Sequence, residues 1–220
     1  MSYCDEYPGE YFVKRRRAYA EEAVKAFCLD MLKEASKLLK LNLFKGRGRR
    51  ALDIGCAQGY VVEQLRQLGY ESYGIDISPI VTSFRGRHLL RASCLNMPFR
   101  EKSFDLITSF EVLEHLPTTE DVIVTLRETF RALKDGGVFV ATTPLKHGVN
   151  AMSDKVHHEL HLTTLTPSSW LELLKPLKAE YHIRPFSFIP MTRFPVLGRF
   201  LHSFMPYPLA RHALIICRKK

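Results

Sequence analysis

The chain has little cysteine and no long apolar run, and each shortage removes a class of protein. Five cysteines in 220 residues (Cys4, Cys28, Cys56, Cys94 and Cys217) are odd in number, far apart and without a C-x-x-C pair. That argues against a disulfide framework and a zinc ribbon and fits a reducing cytoplasm. No apolar stretch reaches the ~20 residues that a membrane-spanning helix needs, and Arg193 and Arg199 interrupt the best candidate. The opening MSYCDEYPGE is polar and acidic, where a secretory leader would be basic and then apolar. Acids are missing from the end of the chain: none follows Glu180, while Arg184, Arg193, Arg199, Arg211, Arg218, Lys219 and Lys220 do. The expectation is a cytoplasmic protein, peripheral to a membrane at most.

What is present suffices for one core. Hydrophobic residues make up 46% of the chain, so a single domain over 1–220 is expected. The net charge of +9 favours acidic partners such as nucleic acid, an anionic membrane surface or phosphorylated small molecules. Ala18 to Lys40 carries apolar residues at helical spacing and ends in the basic KGRGRR. Short apolar runs then alternate with helical patterns: ALDI, then Tyr60 to Leu68; SYGIDI, then Ile80 to Arg85; HLLRASC; FDLITSF, then Thr118 to Lys134; GVFVATT. This rhythm predicts an α/β fold with a mainly parallel sheet covered on both faces. Pro144 to Leu165 reads as a polar, His-rich loop or lid and Pro167 to Leu177 as a helix. YHIRPFSFIPM and HALIICRKK read as the last two strands, with TRFPVLGRFLHSFMPYPLAR inserted between them.

The stretch ALDIGCAQGY ends a strand on Asp53 and follows it with Gly55, Ala57 and Gly59. A tight strand-to-helix turn needs permissive backbone, and missing side chains let a ligand approach the main chain. The spacing is not the dinucleotide G-x-G-x-x-G, because Ala57 stands second and Tyr60 replaces the third glycine. It is not a phosphate-binding P-loop either, since no Lys-Ser or Lys-Thr closes it. A second acid, Asp76, ends the next strand in YGIDIS, and a carboxylate there can accept both hydroxyls of a ribose.

LDIGCAQG, GIDIS, NMPFREKSFDLI, EVLEHL and LKDGGVFVATTP, in that order, resemble the class I S-adenosylmethionine-dependent methyltransferases. The match runs from about Arg50 to Pro144. The resemblance implies a Rossmann-like, seven-stranded, mainly parallel sheet with an antiparallel last strand and helices on both faces. It implies a cover and helix over 1–45, a cofactor core over 50–144, and an acceptor-side lid, last strands and amphipathic insert over 145–220. S-adenosyl-L-methionine would be held by Asp53, Gly55, Cys56, Ala57, Gly59 and Tyr60 at its methionine end and by Asp76 at its ribose. Ile77 would pack on the adenine, Ser93, Cys94 and Leu95 would line its edge, and Phe110 would be a further cofactor contact. The acid that receives the adenine amino group in relatives corresponds here to Ser93 or Cys94. Tyr11 and Arg15 belong to a segment that in relatives folds over the cofactor; anchoring the helix is the alternative.

In FEVLEHL, Glu111, Glu114 and His115 stand at i, i+3 and i+4, so a helix after the fourth strand would place all three on one face. With His161 they are the catalytic candidates. Two carboxylates and an imidazole can also hold a divalent cation that orients an acceptor oxygen and lowers its pKa. His157 of HHELH, one helical turn before His161, is the expected fourth ligand. The layout is similar to ubiquinone-type O-methyltransferases and small-RNA 2′-O-methyltransferases. The competing reading is structural, since E-V-L-E-H occurs across the superfamily without metal.

The resemblance implies methyl transfer, expected at an oxygen of a small, hydrophobic acceptor. The insert over 193–211, apolar with basic flanks, suits a membrane surface or a lipid-like acceptor; a homodimer contact or extra core cover is the alternative. RNA is favoured by charge, but no RNA-binding module is visible. A cofactor-binding subunit without its own catalysis also remains open.

Overall fold

The computed structural model describes residues 21–79, 81, 88–146, 161–189, 201–204 and 210–220. The apolar runs form strands β1 (Arg50–Ile54), β2 (Glu71–Asp76), β3 (Leu89–Arg91), β4 (Phe104–Phe110), β5 (Leu133–Pro144), β6 (Ala179–Ile189), β7 (Leu201–Phe204) and β8 (His212–Lys219). The helices are α1 (Glu21–Leu39), α2 (Tyr60–Gln67), α3 (Thr119–Ala132) and α4 (Pro167–Leu174).

One sheet takes all eight strands in the order β3-β2-β1-β4-β5-β8-β6-β7. The pairs from β3 to β5 are parallel, while β8 lies antiparallel between β5 and β6. The expected mainly parallel sheet with an antiparallel last strand is present. It gains a strand inside the insert, where β7 pairs antiparallel with β6. The third strand is shorter than HLLRASC, and the helix expected over Ile80 to Arg85 lies almost wholly outside the described residues.

Both faces of the sheet are buried because neighbouring residues on a strand point to opposite sides. Ala51, Leu106, Val138, Leu214 and Ile216 join Met31, Leu32 and Ala35 of α1 and Val61 and Leu65 of α2. Their neighbours Leu52, Ile107, Phe139 and Ile215 join Val122, Leu126 and Phe130 of α3 and Trp170 and Leu174 of α4. Near-continuous apolar strands are what this double burial demands.

Local signals set the helix bounds. Thr118 and Asp121 cap α3 reciprocally, with the Thr118 side chain accepting from the Asp121 amide and Asp121 accepting from the Thr118 amide. Thr166 caps α4, with proline in its first turn. At the other end of α3, Lys219 Nζ donates to the carbonyls of Phe130 and Leu133 at 2.6 and 2.8 Å, so the last strand ties down the helix terminus. No described helix is long and apolar enough to cross a membrane.

The register places the carboxyl ends of β1, β2, β4 and β5 along one edge. Asp53 lies beside Gly74 of β2 and Thr108 of β4, and β8 starts there, with His212 opposite Pro144. Gly74 is glycine for a steric reason, since a Cβ would stand 2.7 Å from Cβ and Sγ of Cys56. Overpacking of this kind costs about 1–3 kcal/mol. Gly74→Ala should therefore lower the melting temperature by roughly 2–10 °C, and an unchanged melt would show that Cys56 moves aside freely.

Candidate active site

The turn after β1 has the backbone that its small residues suggest. Gly55 and Gly59 have φ of 73° and 80°, and Ala57 between them has φ of 43°. A left-handed alanine is strained by roughly 1–2 kcal/mol. The strain is offset where Ala57 N donates to Asp76 Oδ2 at 2.8 Å. Ser78 N donates to the other oxygen, Oδ1, at 2.8 Å. Asp76 thus bridges the turns after β1 and β2, and a carboxylate with about four lone-pair sites retains acceptor capacity for hydroxyls. Cys56, buried at 5% exposure, sends its amide back to Ile75 O. Tyr60 opens α2 and is half-buried, as is Ile77, whose carbonyl accepts from Arg91 Nε.

Asp53 is 3% exposed and accepts from Thr108 Oγ1 at 2.6 Å. Burial pushes its pKa up to about 7; Thr108 opposes the shift and the nearby Asp76 adds to it. Burial also raises Asp76, against the amides of Ser78, Ala57 and Ile77.

Ser93, Cys94 and Leu95 form the loop after β3. Ser93 Oγ accepts from Leu95 N, and Cys94 Sγ lies 3.5 Å from Thr125 Oγ1 on α3. A device that sequence reasoning missed fixes the next residues: Glu128 accepts from Met97 N while Arg131 donates to the carbonyls of Met97 and Phe99. An acid and a base three apart on a helix were its only signal. Phe110, ending β4, packs edge-on to Phe27 of α1 at 5.4 Å, which brings the first helix to the site.

The expected helix carrying Glu111, Glu114 and His115 on one face does not form. Glu111 has φ of 56°, and a single 3-10 turn, Leu113–His115, follows it. Pro117 leaves too few residues for an α-helix, and the Thr118 cap starts α3 afresh. Between them Val112 fills the space of the missing Gly55 side chain, where a Cβ would meet it at 2.3 Å.

Glu111 therefore parts from the other two. Its Oε2 lies 3.5 Å from Nε2 of His212, a residue that the strand pattern did not single out. Glu114, His115 and His161 do converge, each offering one ligand atom, all within 4.8 Å of one another. The His115 and His161 rings meet edge-on at 5.1 Å. Thr163 holds the 161–165 segment there, its amide donating to Glu114 O and its hydroxyl to Leu116 O. Glu114 is fully buried, with Oε2 accepting from Thr143 Oγ1 at 3.3 Å. Burial and then the charge of Glu111 drive its carboxyl well above the carboxylate range, and burial lifts Glu111 to about 7. Of the residues expected in the site, Tyr11, Arg15 and His157 lie outside the described residues, as does most of the 193–211 insert.

A family model described as a methyltransferase domain matches residues 19–195. The chain belongs to the class I S-adenosylmethionine-dependent methyltransferases. A ubiquinone biosynthesis O-methyltransferase of Pseudomonas fluorescens is 33% identical over 107 residues, 43% of this chain and 44% of that protein. A Mycolicibacterium smegmatis protein named "Probable S-adenosylmethionine-dependent methyltransferase" is 28% identical over 133 residues, 58% of this chain and 51% of its own. The chain thus matches about half the length of these curated relatives. The crystal structure of a SAM-dependent methyltransferase from Archaeoglobus fulgidus superposes with a TM-score of 0.70 at 18% identity, over 96% of this chain and 100% of that one. This last likeness is one of fold.

For this methyltransferase the buried acids set a pH dependence. The folded pKa of Asp53, about 7, exceeds its ordinary 3.8, so the folded state holds the extra proton between those values. Stability of the ligand-free protein should fall as pH rises through that window. Asp53→Asn should remove up to ~4 kcal/mol of this fall, leaving the part due to Glu111 and Glu114. Melting curves from about pH 4 to about pH 7 with the same slope in both proteins would refute the assignment.

Proposed function

We propose that the chain transfers the sulfonium methyl of S-adenosylmethionine to an oxygen of a small, apolar acceptor at the carboxyl edge of the sheet. One observation carries this reading: the Asp76 carboxylate is tied to the amides of Ala57 and Ser78 directly across the Gly55–Gly59 turn. That combination leaves a ribose acceptor beside backbone that a bulky ligand can approach. Oxygen as the acceptor atom is supported by the relatives named for ubiquinone biosynthesis O-methylation.

The residues present fit the cofactor. Asp53 offers a buried carboxylate next to that turn for the ammonium of the methionine end, and binding a cation there would return its pKa toward the ordinary range. Asp76 would grip the ribose. When bound, S-adenosylmethionine supplies a methyl group activated by the positive sulfur. The chain's own contribution is placement of two reactants, which alone removes a large part of such a barrier.

Glu114, His115 and His161 fit a divalent cation, being one carboxylate and two imidazoles with converging ligand atoms. A cation there would act as a Lewis acid on an acceptor hydroxyl.

Calorimetry should detect S-adenosylhomocysteine binding to the wild type, and Asp76→Ala should weaken it at least tenfold, about 1.4 kcal/mol; equal affinities would end the ribose assignment. Methyl label should pass from the cofactor into the small-molecule or lipid fraction of a cell extract, and label in RNA or protein alone would replace the proposed acceptor. Protein purified without a histidine tag should carry about one equivalent of metal that Glu114→Ala abolishes. Metal-free wild type whose activity survives chelation would end the cation proposal.

A further inference from the structure

Glu111 and His212 make a second pair at this edge, with an imidazole different from those that Glu114 meets, although the charge of Glu111 still reaches Glu114. Both sit on rigid supports. The amide of Glu111 donates to Thr142 O on β5 at 3.0 Å. The next residue, Val112, packs on Gly55 of the cofactor turn. His212 is fixed by pairing on both sides, opposite Pro144 of β5 and Phe186 of β6, and its ring lies 5.4 Å from that of Phe186. The two oxygens of Glu111 differ. Oε2 stands 3.5 Å from His212 Nε2, whereas Oε1 is buried and makes no hydrogen bond of good geometry among the described residues, the nearby Thr142 hydroxyl serving only to hold down the pKa that burial raises. A buried carboxylate oxygen without a donor is costly, and the left-handed backbone at Glu111 is a second cost at the same residue. Such costs gather where function requires them.

We propose that Glu111 Oε1 receives the proton of the methyl acceptor and that His212, through Nε2, holds the carboxylate in place for it. The inference rests on the methyl-transfer reading above. As the acceptor oxygen forms its bond to the methyl carbon, the carbon–sulfur bond breaks and its electron pair returns to sulfur. The O–H proton passes to Glu111 Oε1. Atoms and charge balance: the positive sulfur becomes a neutral thioether, the carboxylate becomes a carboxylic acid, and no oxidant or further reactant is needed. Glu111 is the catalytic residue and His212 a positioning residue.

The test measures methyl label passed from S-adenosylmethionine into a cell extract, alongside S-adenosylhomocysteine affinity and melting temperature for each protein. Glu111→Gln, nearly isosteric but unable to take a proton, should lower transfer about 100-fold or more with cofactor affinity unchanged. His212→Leu should lower it about tenfold or more, and His212→Gln, which keeps an N–H donor, should restore transfer to within about threefold of wild type. A role confined to packing would not distinguish leucine from glutamine in this way. Wild-type transfer by Glu111→Gln, or equal loss in both His212 variants with affinity and melting intact, overturns the proposal. A wild type that binds S-adenosylhomocysteine yet labels no fraction overturns the methyl-transfer reading, and the proton acceptor falls with it.

Discussion

Two hydrogen bonds from backbone amides to Asp76, from Ala57 and from Ser78, hold the site together. Each is charge-assisted, and bonds of this kind are about twice as strong as neutral ones. They fix the turn after β1 in a conformation that an alanine at φ 43° would otherwise leave. The rest follows from that constraint. Gly74, two residues before Asp76, must lack a side chain because Cys56 sits over it, and the β1–β2 register then sets Gly74 beside Asp53. Asp53 and Asp76 are placed by one local contact and one strand pairing.

The same edge accumulates negative charge in a protein whose net charge is +9. Asp53, Asp76, Glu111 and Glu114 all lie there, and burial raises the pKa of each. Buried carboxylates are expensive unless a cation joins them. The ligand of this family brings a positive sulfur and an ammonium, and a divalent cation would bring more. A site that raises the pKa of four acids suits positively charged guests.

Much of this is legible in the residues alone. The strand–helix rhythm predicts the order and rough position of the parallel strands, because strands buried on both faces must be continuously apolar and their ends carry turn residues, but it overextends the third strand and starts the fifth too late. Asp53, Gly55, Gly59 and Asp76 stand out because a tight turn and a strand-ending acid leave unmistakable residue types. The Glu111 to His115 stretch misleads. Its i, i+3, i+4 spacing matches a helix face, but Pro117 and the Thr118-x-x-Asp121 cap, both in plain view, confine the true helix to residues after 118. The clamp of Glu128 and Arg131 on the 97–99 loop looks, in sequence, like an ordinary surface pair. His212 has no local signal at all. Only the antiparallel insertion of β8 beside β5 brings it to Glu111, and register between distant strands cannot be read from residue types.

The absence of that helix has a physical consequence. On a helix, Glu111 and Glu114 would share a face, and two buried carboxylates that close would compete for one cation or one proton. The left-handed turn at Glu111 sends them to different neighbours instead: Glu114 to His115 and His161, Glu111 to His212. The two carboxylates stay near enough for the charge of Glu111 to raise Glu114, yet each meets a different imidazole. The backbone strain at Glu111 is the structural cost of that separation. Val112, between the two groups in sequence, is anchored against Gly55 and so ties both to the turn after β1.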